Sequence, residues 1–285
     1  MSVKIVTDTM ADIPAALAAE LDITQVPCLV HFGDREFRDR TDLSLPEFYR
    51  QLDTSPILPF TSQPSAAMLE QVFRAIATRN NQILSIHVTG KLSGTLNSAH
   101  LGAQNLAGAQ IEIVDSRQVS MAMGWMAVLA ARAAKTGASL ATIKKMVQDA
   151  MPRAHIIAML DTLRFAQRGG RLGKGAALIG TFLNVKPLLS IQDGEVVPIG
   201  NVRTRRRGLE RLVEILQASG PVQELAVMHA QADADAQELA RMLGALYPDK
   251  QIIIGETGPV IGTHTGPGAI GIAWLAQSQN GNAHS

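Results

Sequence analysis

The stretch QILSIHVTGKLSGTLNSAH, residues 82–100, has the pattern of a buried strand, a glycine-containing loop and a helix. Half of residues 82–89 are apolar and half are β-branched, a composition that predicts a strand. The loop that follows is expected to lead into a helix that begins near Ser93. A strand that runs into a helix is the repeating unit of parallel sheets covered by helices, so this stretch predicts an α/β fold.

The same alternation continues on both sides of this unit. Further strands are predicted at 3–9, 23–32 and 111–116, and helices near 13–21, 45–53, 65–79, 94–107 and 120–136. We therefore expect a three-layer domain with a parallel sheet between two layers of helices. Parallel strands share one carboxyl edge, so polar residues after them should lie along one rim. Those residues are Asp8, Thr9, Thr89, Asp115 and Ser116.

The pattern changes after about residue 150. Strands are predicted at 154–162, 185–204, 224–232, 251–260 and 269–276, and helices at 206–219 and 233–247. The QDGE turn at 192–195 predicts a hairpin, because Asp-Gly accepts the positive φ of a tight turn. We expect a parallel α/β domain at 1–152 and a two-layer, mixed-sheet α/β domain at 153–285. The segment 55–65 is a candidate crossover between them.

Composition excludes several classes of protein. The chain has 285 residues, of which 46% are hydrophobic and 18% charged, a globular profile. A net charge of +1 and 4% aromatic residues argue against nucleic acid as a partner. The single cysteine, Cys28, forms no internal disulfide, and the N-terminal residues lack a signal-peptide pattern, so we expect a cytoplasmic protein. The longest apolar run, 121–131, is too short to span a bilayer, so no stable membrane insertion is expected.

Three short segments resemble known sequence motifs but lack the secondary structure or residue spacing that these motifs require. GPGAIG at 266–271 resembles a dinucleotide fingerprint, but a strand is predicted at its end and no acidic residue follows at the required distance. GGRLGKG at 169–175 lacks the spacing and the hydroxyl residue of a P-loop. GKLSG at 90–94 places its serine one position late for a nucleophile elbow. No histidines or cysteines stand at metal-ligand spacing, so we expect neither a metal nor a cofactor.

Three other segments share small hydroxyl residues next to glycine or proline: FTSQPS at 60–65, TGKLSGTLNSA at 89–99 and GTHTGPG at 262–268. The free N–H groups of the helix that begins near Ser93 would favour a negatively charged group. Thr61 and Ser93 are equally compatible with helix capping.

The lone His264 is compatible with a packed core side chain as well as a functional one. A Ser-His-Asp hydrolase that uses Ser93, His264 and either Asp115 or Asp8 remains an alternative, since chain order does not exclude a triad. A small-molecule sensor unrelated to lipid is a third possibility. Spacing alone leaves the function open.

Six motifs, in order along nearly the whole chain, together resemble the DegV family of fatty-acid-binding proteins, which includes the binding subunit of bacterial fatty acid kinase. They are TDTMADIP (7–14), TSQPS (61–65), LSGTLNSA (92–99), DTLRFAQRGGRLGK (161–174), LNVKPLLSIQDGEV (183–196) and GPVIGTHTGPGAIGI (258–272). The resemblance implies two α/β domains with a long-chain fatty acid buried between them. It also implies a carrier rather than an enzyme, which presents the acid to an ATP-dependent fatty acid kinase for acyl-phosphate formation.

The resemblance assigns roles to individual residues. Thr61 and Ser93 match the family positions whose hydroxyls bond the carboxylate, and His264 matches the histidine that helps to hold it. The remaining predicted ligand-binding residues are Ser62, Gly94 and Asn97. The chain departs from the family at two positions, since Thr9 stands where serine is usual and Leu96 where tyrosine is common.

Two further predictions concern the surroundings of this site. The basic clusters at 168–171 and 203–207 are either solvated surface or a docking site for an acidic partner, the kinase, with Arg171, Arg203 and Arg205 as candidates. The segment GKGAALIGTFL at 173–183 is the favoured pocket wall. Other apolar wall candidates, which are equally compatible with the domain core, are Ile156, Ile157, Met159, Leu163, Phe165, Leu188, Leu189 and Ile191.

Overall fold

The computed structural model describes residues 3–78, 82–104, 106, 108–173 and 185–278. The strands are β1 (Lys4–Asp8), β2 (Ile23–Val26), β3 (Leu29–Phe32), β4 (Arg35–Arg38), β5 (Phe60–Ser62), β6 (Gln82–His87), β7 (Gln110–Asp115), β8 (Ala154–Met159), β9 (Lys186–Gln192), β10 (Glu195–Val202), β11 (Val222–His229), β12 (Ile252–Glu256) and β13 (Ile270–Ala276). The helices are α1 (Ala15–Glu20), α2 (Leu45–Thr54), α3 (Ala66–Ala77), α4 (Thr95–Ala103), α5 (Ser120–Lys135), α6 (Leu140–Ala150), α7 (Arg164–Arg168), α8 (Arg205–Ala218), α9 (Asp233–Leu246) and α10 (Pro259–Thr265).

The N-terminal half forms a parallel sheet in the order β2-β1-β6-β7. Alternate strand residues face opposite sides: Val6 and Ile83 pack with α3 and α4, whereas Ile5 and Leu84 lie in the core shared with α5. Helices α5 and α6 contact the sheet on that second side. The predicted three-layer arrangement is confirmed.

The C-terminal half forms a mixed sheet in the order β10-β9-β8-β13-β11-β12, in which only the β11–β12 pair is parallel among the described strands. Helices α8 and α9 cover one face, where Leu212 and Leu239 are fully buried. Asp193 and Gly194 adopt φ values of 48° and 81° in the turn between β9 and β10, as the predicted hairpin requires. The two-layer, mixed-sheet prediction is confirmed.

Helix α5 lies between the two sheets and is buried on nearly every side. It contacts β1 of one sheet and β8 and β13 of the other, and Trp125 Nε1 donates a hydrogen bond to the Ala273 carbonyl at 3.1 Å. A helix that is apolar all round is expected in such a position, which accounts for the long apolar run at 121–131. Within the described residues, none of the helices combines the length and the apolar character that a bilayer crossing requires.

The predicted strand at 23–32 is in fact two strands in different sheets. Pro27 lacks a backbone N–H and interrupts the ladder, so β2 joins the parallel sheet while β3 pairs with β4 and β5 in a three-stranded antiparallel sheet. This small sheet was not predicted. It matters for function, because β5 carries Thr61 and Ser62.

Three helices were also missed, namely α6, the short α7 and α10. Helix α6 begins after Ser139, whose hydroxyl accepts a hydrogen bond from the Thr142 N–H. The predicted strand at 251–260 ends at Glu256, and Pro259 at the first helical position begins α10. Helix α10 packs against α2 and β3, so a segment late in the chain contacts the N-terminal half. The domain boundary near 152 stays a prediction.

Candidate functional site

A mainly apolar cavity of about 150 Å³ lies between the two halves of the molecule. One wall is the face of the C-terminal sheet opposite α8 and α9, to which five adjacent strands, β10, β9, β8, β13 and β11, contribute lining residues. The other wall comes from Met10, Cys28 and Val119 of the N-terminal half and from α10. Neighbouring strands are roughly 4.8 Å apart, so the lined region spans about 19 Å across the sheet.

The strand register explains why space remains in the middle of this wall. Leu189, Ala158, Gly271 and Met228 stand side by side on four neighbouring strands, and all four line the cavity. Ala158 and Gly271, at the two central positions, are the smallest residues in this row. The row therefore forms a shallow channel that crosses the strands.

Thr61, Ser93 and His264, the three residues assigned to the head group, all line the cavity. Thr61 Oγ1 on β5 lies 2.9 Å from His264 Nε2 in the last turn of α10. Ser93 stands before α4, where its hydroxyl accepts a hydrogen bond from the Thr95 N–H at 3.2 Å. Ser93 also lies 2.8 Å from Thr95 Oγ1, and the N-cap of α4 is Gly94 rather than Ser93. The helix-cap interpretation of Ser93 is therefore wrong, and its role as a ligand stays a prediction.

Burial, with a smaller contribution from the positive charge of Arg171, lowers the pKa of His264 to about 4. The imidazole is therefore neutral at pH 7. Its Nδ1 atom has no hydrogen-bond partner in the described part of the chain. Gly169 at the end of α7 lies against this nitrogen, and a methyl group on Gly169 would overlap it. Glycine at 169 is the residue that admits the imidazole.

Three other predicted ligand residues stand apart from this cluster. Ser62 lines the cavity, but its hydroxyl is 2.8 Å from His31 Nε2 and is already engaged. Gly94 is the N-cap of α4 and packs against the Gln63 amide rather than the cavity. Asn97 is exposed on α4 and does not line the cavity.

The three arginines predicted to dock a partner have different environments. Arg171 lines the cavity, and its guanidinium donates to the Gly169 carbonyl at 2.6 Å and to the Leu92 carbonyl at 3.4 Å. Arg203 is exposed. Arg205 is half-buried and forms ion pairs with two acidic side chains, so it stabilises the C-terminal half instead of projecting freely. Those side chains are Asp161 and Asp235.

The hydrolase arrangement is not assembled in the described residues. Asp8 is fully buried and bonds His87 Nδ1 at 3.0 Å, while the opposite ring nitrogen of His87 lies 2.7 Å from Ser85. Asp115 accepts from backbone N–H groups. No carboxylate there is hydrogen-bonded to His264, so the imidazole lacks the orienting acid of a triad.

Cys28 is the other cavity residue with nucleophilic chemistry. Burial raises the pKa of the Cys28 thiol well above its usual value, with smaller contributions from Asp8 and Asp39. Thr9, one of the two departures from the family, accepts a hydrogen bond from the Cys28 N–H through its hydroxyl at 3.1 Å. The cavity is therefore lined by a neutral thiol, which adds to its apolar character.

The apolar residues predicted to form the cavity wall lie on both faces of the C-terminal sheet, and those on one face line the cavity. Ile156, Leu189 and Ile191 line the cavity, whereas Ile157, Met159 and Leu188 face α8 and belong to the C-terminal core. Leu163 and Phe165 pack at the edge of the larger core and do not line the cavity. Most of the favoured segment, including Leu178, Ile179 and Phe182, lies outside the described residues. Met10 and Met228 are wall residues that sequence reasoning missed.

Comparison with known proteins gives a consistent picture. The family model for an uncharacterised protein of the DegV family matches residues 2–277. Protein DegV of Bacillus subtilis (strain 168) is 32% identical over 278 residues, which cover 96% of this chain and 99% of the relative.

Two solved structures share the fold at a TM-score of 0.90. One is a crystal structure of DegV from Bacillus subtilis, described as a fatty acid binding protein, with 32% identity over 97% of this chain and 100% of that one. The other concerns fatty acid binding of a DegV family protein from Thermus thermophilus, with 29% identity and the same coverage. The chain described here belongs to the DegV family.

Proposed function

We propose that this protein binds a long-chain fatty acid, with the tail in the cavity and the carboxylate beside Thr61, Ser93 and His264. The observation that carries the proposal is the distribution of polar groups along the cavity. The hydroxyls of Ser120 and Ser190 also reach its wall, but each already donates to a protein oxygen, Asp12 and the Ile156 carbonyl respectively. At the head-group end, His264 Nδ1 has no partner among the described residues, and the hydroxyls of Thr61 and Ser93 donate to no carbonyl or carboxylate there, so these three residues supply hydrogen-bonding capacity for a ligand.

The energetics favour an amphiphile with a long tail. Each methylene transferred from water to an apolar site gains about 0.8 kcal/mol, so a tail of roughly fourteen methylenes gains on the order of 10 kcal/mol before costs. A neutral hydrogen bond contributes about 1 kcal/mol. The tail supplies most of the affinity, and the hydroxyls and imidazole set the orientation of the head group.

The length of the cavity agrees with this class of ligand. An extended alkyl chain advances roughly 1.25 Å per carbon for ordinary bond lengths and angles, so the 19 Å of lined sheet match about fifteen carbons. The fatty acid binding reported for the DegV structures from Bacillus subtilis and Thermus thermophilus supports the same assignment by similarity.

The tautomer of the neutral His264 imidazole sets the direction of the hydrogen bonds at the head group. With its proton on Nε2, the imidazole donates to Thr61 Oγ1, and the Thr61 hydroxyl is then free to donate to the carboxylate. The guanidinium of Arg171 lines the same cavity and supplies positive charge that offsets the carboxylate. The direct donors in this proposal are hydroxyls, which orient the carboxylate oxygens toward a phosphoryl donor.

A partner kinase would have access to the carboxylate at this end. Leu92 and Arg171 belong both to the cavity and to an adjacent open cleft, which is also lined by Lys91, Gly170, Gly173 and Glu195 among the described residues. The carboxylate of the bound acid would thus lie next to this open cleft. We propose that the protein presents the acid to a fatty acid kinase here and is a carrier without catalytic activity of its own.

The binding proposal is tested with the purified protein. Extraction and mass spectrometry should find an acyl chain retained by the purified protein. A delipidated sample should bind oleate, with most of the affinity supplied by the apolar tail. A Thr61→Ala/Ser93→Ala double variant should bind oleate more weakly while it unfolds at nearly the same temperature. The matched control is Thr54→Ala, which removes an exposed hydroxyl on α2. Wild-type protein that neither retains nor binds a fatty acid would refute the proposal.

The kinase proposal needs a separate experiment. Charge reversal at exposed Arg203 should slow acyl-phosphate formation by an added fatty acid kinase and leave oleate affinity unchanged. Arg206→Glu is the control, since Arg206 is also exposed on this basic segment but pairs with Glu210 in the same helix. Arg205 is unsuitable for this test because its replacement would break the ion pairs with Asp161 and Asp235. Equal phosphorylation rates in wild type and Arg203→Glu would count against docking at this residue.

A further inference from the structure

The cavity has an end opposite the head group, and helix α10 shows where it lies. His264 stands in the last turn of α10, Val260 and Ile261 line the cavity along the helix, and Thr257 lines it before the helix begins. Seven helical residues span about 10 Å. The backbone of Thr257 therefore lies roughly the length of this helix from the backbone of His264.

Met228 closes the channel at this far end. It lies on β11, the last strand that lines the cavity, and its side chain is 2% exposed. In the register it follows Ala158 and Gly271, whose small side chains leave the channel open. Met228 is thus the first long side chain that a tail meets after crossing these strands.

The thioether of Met228 lies over Gly255 on the neighbouring strand. Met228 and Gly255 are register partners in the β11–β12 pair. A methyl group on Gly255 would lie 2.9 Å from Met228 Cε and 3.2 Å from Met228 Sδ. The absence of a side chain at 255 therefore provides the space in which the end of Met228 rests.

We infer that Met228 and Gly255 together set the length of tail that the cavity accepts. Met228 forms the end wall, and Gly255 lets its thioether lie away from the tail. This inference rests on the proposed function, because it assigns a chain-length limit to the same site.

Because the methionine side chain is flexible, a substitution at Gly255 can change the position of Met228 in the end wall. The side chain is unbranched and flexible, so a methyl group at 255 would displace the thioether at little cost to the fold. The thioether is packed against protein on the Gly255 side and lines open space on the other, so it would move into the cavity. Gly255 lies within a strand without a positive φ, so alanine is compatible with its backbone.

The inference predicts opposite changes in two variants. Gly255→Ala should shorten the cavity by one or two methylenes and weaken the longest bound tail by about fourfold for each methylene displaced. Met228→Ala should lengthen the cavity and move the preference toward longer tails. Gly244→Ala on α9 is the matched control, because the nearest atom to its added methyl group is 4.0 Å away.

The experiment measures Kd for saturated fatty acids from dodecanoate to eicosanoate with delipidated wild type and the three variants, together with their unfolding temperatures. The inference is supported if the tail length that binds most tightly becomes shorter in Gly255→Ala and longer in Met228→Ala, and stays the same in Gly244→Ala. Variants that keep the wild-type optimum, or that weaken all tails equally, would overturn the inference while the proposed function stands. If one variant fails to fold, the direction of shift in the other decides. A wild type that binds no fatty acid would instead remove the proposed function.

Discussion

Replacement of Gly169 by alanine tests the head-group geometry most directly. Gly169 has φ −70° and ψ −8°, a conformation that alanine adopts without strain, so the backbone itself should tolerate the change. The added methyl group would overlap Nδ1 of His264. The imidazole must then move, and its hydrogen bond with Thr61 Oγ1 is lost or lengthened.

The magnitude follows from these contacts. Without the imidazole in place, Thr61 Oγ1 is no longer held in the orientation in which it donates to the carboxylate, and loss of that one neutral hydrogen bond, about 1 kcal/mol, should raise the Kd for oleate by about fivefold. Overpacking a filled site costs about 1–3 kcal/mol, part of which the Gly169→Ala change recovers by restricting the unfolded chain. We therefore expect about fivefold weaker binding together with a loss of stability of about 1–2 kcal/mol.

A double-mutant cycle separates this mechanism from general damage. Oleate Kd and urea unfolding are measured for Gly169→Ala, for His264→Ala and for the double variant. Without the imidazole the methyl group has nothing to displace, so the double variant should bind as His264→Ala does. An equal loss from Gly169→Ala in the presence and absence of His264, or wild-type affinity in the single variant, would refute the reasoning.

Three further predictions concern pH and the core. Burial raises the pKa of Asp39 to about 6, so the native state binds this proton more tightly than the unfolded chain does. The native state therefore loses stability as pH rises from about 4 to 6. In urea denaturation, Asp39→Asn should raise the free energy of unfolding by about 3 kcal/mol at pH 7 and change it little at pH 4. The His264 imidazole should titrate near pH 4 by NMR, because burial lowers its pKa. Its contribution to the stability of the protein should decline as pH falls from about 6.5 to 4. A measured pKa near 6.5 would contradict the burial of this side chain. Trp125→Phe should lower the free energy of unfolding by about 1–2 kcal/mol through the lost bond to the Ala273 carbonyl and leave oleate affinity unchanged; no loss in urea denaturation would show that this bond does not stabilise the core.

The alternation of strands and helices was predictable because each element carries its own hydrophobic pattern. The break at Pro27 could have been found, since proline rarely continues a central strand. Helix α10 was harder to predict, because GPVIGTHTGPG contains many residues that are unfavourable in helices, and contacts with α2 and β3 stabilise it. Tertiary packing decided the conformation of that segment.

The division between pocket and core was not predictable from local pattern. Ile156 and Ile157 are adjacent on β8, yet one lines the cavity and the other packs against α8. Both faces of this strand are buried, so it has no polar alternation that would distinguish them. Likewise, the contact of Gly169 with His264 joins residues far apart in the chain, and the RGGR string that contains Gly169 indicated only a basic segment.

Helix α5 has a consequence for how members of this family can be recombined. It belongs by position to the N-terminal half, yet β8 and β13 complete their packing on it and Trp125 bonds to the Ala273 carbonyl. A chimera that joins the first half of one homologue to the second half of another would place a foreign helix against an unmatched sheet. Exchange of either half should therefore succeed only when the residues of α5 are inherited together with the sheet they touch.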